Sequence, residues 1–76
     1  MNNLDRKELE RALELIEDAK EIIEIIRDSE DEKFNNLSEN LQQSERGQRF
    51  EENVSTLDDV ISDLENAIDN INQASE

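Results

Sequence analysis

The chain predicts an all-α protein: an antiparallel two-helix hairpin, coiled-coil-like, that dimerises into a four-helix bundle. Three observations carry this. One glycine, no proline and two aromatics among 76 residues leave neither turn-rich nor strand-rich composition. From Phe50 to Ala74 the apolar residues Phe50, Val54, Leu57, Ile61, Leu64, Ile68 and Ile71 alternate spacings of four and three, an unbroken a/d heptad seam. Leu9, Ala12, Ile16, Ala19, Ile23 and Ile26 repeat the same rhythm in the first half. One domain is expected, near the size at which a single core is marginal.

Helix 1 is predicted over about residues 5–33. Asp5 is placed to cap it, Glu8 completes a capping box, and Leu4 and Leu9 occupy the staple positions. Its seam is broad, because Leu13, Leu15, Ile22 and Ile25 add apolar area beside it. Residues 34–44 drop the heptad. Asn35 and Asn36 are poor helix-interior residues, Ser38 and Ser44 are candidate N-caps, and Leu37 and Leu41 are spaced for one short helical turn. Helix 2 is predicted over about residues 45–74, with Gly47 weakening its first turns slightly.

Folding the chain back about residue 40 places Ile26 by Val54, Ile23 by Leu57, Ala19 by Ile61, Ile16 by Leu64, Ala12 by Ile68 and Leu9 by Ile71. The e positions then set Arg27 against Glu51 and Lys20 against Asp58. Exposed ion pairs contribute roughly 0 to 1 kcal/mol each, so they select a register; buried Leu and Ile, at about 1.5 to 3 kcal/mol apiece, hold it. The opposite, g–g edge is apolar: Leu15, Ile22, Val60, Ala67 and Ala74, with Leu13 and Ile25 left over. Such a strip is unusual on a small acidic protein, and it is the expected dimer interface of a homodimer with two-fold symmetry.

Charge and missing residue types bound the function. Twenty-two acids against eight bases give a net charge of −14, which repels nucleic acid and anionic membrane. The expected partner is a protein, basic or nucleic-acid-binding. With no Cys and no His, thiol and imidazole chemistry are absent, and no cofactor is expected. No apolar run is long enough for a membrane span and MNNLDRKE has no apolar h-region, so a cytoplasmic location is expected.

Three constellations are candidates for chemistry. Glu14, Glu17, Glu21, Glu24, Asp28 and Asp31 form a carboxylate stripe on helix 1. Within it, ELIE and EIIE resemble the paired E-x-x-E of all-helical nucleotide pyrophosphohydrolases (the MazG-like family), which implies a Mg²⁺-dependent nucleotide hydrolase. The second motif of that family, E-x-x-D, is not matched, since Glu65 is followed by Ile68. The stripe reads better as a solvated face at the b and f positions, and the chain as no enzyme.

The second candidate is an acidic partner-binding face: Glu51, Glu52, Asp58, Asp59, Asp63, Glu65 and Asp69, in a stretch without a single base. Its charge, one per roughly 5 Å of helix against one per about 1.7 Å in duplex DNA, allows an acidic DNA mimic without requiring it. Third, Ser44–Gly47 reads as an N-cap, a first-turn acid and a turn glycine, rather than as an anion site at Arg46.

The segment EKFNNLSENLQQSERG, Glu32–Gly47, set between two acidic amphipathic helices, resembles small proteins encoded by phages and prophages of Gram-positive bacteria. Many small acidic phage proteins bind and block a host protein. The resemblance implies an accessory or inhibitor role through protein contacts, in the bacterial host cytoplasm.

Overall fold

The computed structural model describes all residues, 1–76. Helix α1 spans Asn3–Asn35, a single-turn α2 spans Glu39–Gln42, and α3 spans Glu45–Ala74. α1 and α3 pack against each other as a hairpin 58 Å long and only 15 by 12 Å across. No helix is long and apolar enough to cross a membrane.

Each boundary has a local cause. Asn2, not Asp5, caps α1: its side-chain oxygen accepts from the Asp5 N–H at 2.8 Å. Asp5 instead lies in the first turn, where a carboxylate favours the positive helix end. α1 stops at Asn35, with Asn36 closing back on the Glu32 carbonyl at 3.0 Å. Ser38 and Ser44 cap α2 and α3 as expected, each accepting from the N–H three residues on, at 3.4 Å. At the far end the Ser75 hydroxyl donates to the Ile71 carbonyl at 2.9 Å.

The register differs from the expected one. Arg27 Nη1 pairs with Asp58 Oδ1 at 2.9 Å, Lys20 Nζ with Glu65 Oε1 at 3.4 Å, and Asn53 donates to Glu30 at 3.5 Å. Arg27–Asp58 and Lys20–Glu65 each add to 85, where the expected pairs Arg27–Glu51 and Lys20–Asp58 add to 78, so each base meets the acid one heptad further along α3. The cause is at the tip. α2 packs on the first turn of α3, and Gln42 Nε2 donates to the Phe34 carbonyl at 3.2 Å. The first turn of α3 is thus covered by α2, and α1 meets α3 beyond it.

Gly47 makes this possible. A Cβ there would lie 2.2 Å from the Gln42 carbonyl oxygen and 2.6 Å from that of Leu41, closer than any side chain tolerates. Its absence of a side chain serves a close backbone approach, not a special φ.

α1 is also turned about its axis. Leu13, Lys20, Arg27 and Phe34 are half-buried beside Leu9, Ile16 and Ile23, whereas Ile26 is 47% exposed. The aliphatic stems of Lys20 and Arg27 lie over the seam while their heads reach Glu65 and Asp58. α3 keeps its expected seam: Ile61 is the one buried apolar side chain, flanked by half-buried Val54, Leu57, Leu64, Ile68 and Ile71.

Candidate interaction surfaces

Two surfaces follow from this packing. The first is apolar and belongs mainly to α1. Leu15, Ile22 and Ile25 stand 58–63% exposed, and Ile26 joins them. Of the expected interface set, Leu15, Ile22 and Ala74 are exposed, while Val60 and Ala67 are half-buried at the edge of the α1–α3 seam. Leu13, expected to be left over, turns toward α3 and is half-buried. Ile26, expected in the core, was the member that heptad spacing misplaced. The signal for it is the adjacent pair Ile25–Ile26, which no single narrow seam can absorb.

The chain exposes 5843 Å², whereas a compact monomer of its mass exposes about 4,800 Å². The excess, about 1,000 Å², belongs to the rod shape of the hairpin as a whole, 58 Å long and 15 by 12 Å across.

The second surface is acidic and lies along the opposite edge of the hairpin. Glu17, Glu24, Glu65 and Asp69 surround Lys20 in one shallow groove. Asp31, Glu51 and Asp58 line another, with Phe34 and Val54 at its floor. The b-position acids of α1 therefore border the hairpin groove instead of facing away from it. Asp58 and Glu65 are engaged by Arg27 and Lys20, which lowers the free charge on this edge. The hydrogen bonds that Arg27 donates to Asp58 and then to Asp28 raise its pKa above the ordinary value. Glu52 sits elsewhere, in a concavity with Glu45, Gln48 and Arg49. Asp59 and Asp63 are exposed and line no groove, so the seven candidate acids of α3 fan around the helix and do not share one face.

The remaining candidates resolve simply. No three acids converge closely enough to hold a metal ion. The Arg46 guanidinium lies over the Phe50 ring, 5.9 Å from its centroid, and the Ser44 hydroxyl is bonded to the Leu41 carbonyl and the Gly47 N–H. The Arg46–Phe50 contact lies within α3, and the Ser44 hydroxyl ties the end of α2 to the start of α3. No protein-family model, curated protein or solved structure matches the chain.

Proposed function

We propose that this chain is a non-enzymatic protein–protein interaction module whose two copies join their apolar flanks into a four-helix bundle. The assembled bundle engages a protein partner through its acidic outside, in the manner of a phage-type accessory or inhibitor protein. The observation that carries the reading is the unpartnered strip of Leu15, Ile22, Ile25 and Ile26 on a chain with a single buried apolar side chain. A hairpin of this length has too little interior of its own, and self-association supplies the rest.

Light scattering tests it: the wild type is expected at twice 8.9 kDa, and Ile22→Glu at the monomer mass. A monomeric wild type overturns the bundle. The acidic edge favours a second reading for the partner, a nucleic-acid-binding enzyme blocked by DNA mimicry. Its support is the grooved run Asp31, Glu51, Asp58, Glu65 and Asp69. Binding by mimicry weakens steeply with salt. A complex that persists in high salt assigns recognition to packing instead.

A further inference from the structure

We infer that the two copies meet through α1 in antiparallel, with facing residue numbers adding to 41, and that the charges at the ends of the strip select this orientation. The inference rests on the self-association proposed above and adds its geometry.

α1 carries a second seam besides the one covered by α3. Leu15, Ala19, Ile22 and Ile26 are spaced four, three and four, and the three larger ones are 47–62% exposed. At 100° per residue this seam lies roughly a third of a turn round the helix from the covered one. Two seams so related are what a helix shows when it has two neighbours in a four-helix bundle.

Antiparallel pairing about a point between Ala19 and Ile22 sets Leu15 against Ile26 of the second copy, and Ala19 against its Ile22. A large residue then meets a small one at the centre, which is how facing layers interdigitate. The ends of the strip agree. The same register puts Glu8 across from Lys33 of the second copy, and the flanking edge brings Arg11 to its Glu32. Glu8, Arg11 and Glu32 are exposed, and the Lys33 side chain is 57% exposed, held only by a 3.6 Å pair with Glu30. In a parallel pair every one of these charges would face its own copy, acid on acid and base on base.

Single-cysteine variants test the orientation, since the chain has no cysteine of its own. With Leu15→Cys and Ile26→Cys mixed and oxidised, a mixed disulfide dimer is expected, and neither variant alone should cross-link efficiently. Homodimeric disulfides from each variant alone, with no mixed product, would overturn the antiparallel arrangement while leaving the dimer standing. A monomeric wild-type mass by light scattering would remove both. Independently, Glu8→Lys is expected to weaken dimerisation at low salt by about fivefold, and adding Lys33→Glu to restore it. Absence of that rescue in a cross-linkable dimer sinks the charge selection.

Discussion

α3 has one apolar seam and α1 has two. Every a/d residue of α3 from Phe50 to Ile71 is buried or half-buried, and the rest of that helix is polar apart from the small residues at its edge. α1 is the same length to within a turn, yet it divides its apolar residues between α3 and open solvent. The difference teaches that amphipathic strength is a poor guide to what a helix does for its own fold. α3 holds the hairpin; α1 holds the hairpin and leaves an apolar strip in solvent.

This contrast can be broken at its centre. Ile61→Ala removes the one buried apolar side chain and is expected to destabilise the chain by about 2–4 kcal/mol, seen as a large fall in denaturant midpoint. For a domain of this size that is a substantial fraction of the total. Ile22→Gln on α1 should leave a dilute sample's monomer stability within about 0.5 kcal/mol and lower stability only where it depends on concentration. Equal losses at both positions would mean that the strip is folded against this chain after all.

Gly47→Ala sharpens the account of the tip. Alanine gains about 1 kcal/mol of helix propensity over glycine, but its Cβ has no room under the Gln42 carbonyl. A net loss of about 1–2 kcal/mol is expected, with faster amide exchange at Leu41 and Gln42. A stabilised variant would show that α2 does not rest on α3. Asn2→Ala follows at about 1 kcal/mol, with fraying confined to the first turn of α1 by amide exchange; the matching Asp5→Ala should do less.

Arg27 gives the smallest and most selective effect. Its folded pKa is raised, so its ion-pair contribution is fully present below its unfolded pKa and is lost only as pH rises through the folded one. That window lies above the ordinary guanidinium range, so no alkaline transition attributable to Arg27 is expected in any ordinary buffer. Arg27→Gln should lower the melting temperature slightly at neutral pH, and less in high salt, because Arg27 and Asp58 are both partly solvated.

The sequence made the helical class, the three elements, both serine caps and the whole α3 seam legible, because each depends on residues close together in the chain. The apolar strip was legible too, through Leu15 and Ile22. The register was not. Heptads repeat, so a slip of one heptad leaves the seam nearly as apolar as before, and pairing rules cannot see a backbone contact between Gln42 and Gly47. Asp5 was a plausible cap until Asn2 supplied an acceptor one turn earlier. The acidic residues of α3 were countable from composition, but their division between grooves depended on which way α1 had turned.

The clasp between α2 and Gly47 has a consequence for how this chain tolerates change in length. Surface connections usually accept insertions and deletions with little penalty. Here one residue gained or lost between Asn36 and Ser44 would slide every cross-helix partner along the full 58 Å, like a vernier moved by one division. Variants of this protein should therefore diverge freely along the solvated outside of both helices while keeping the number of residues at the bend.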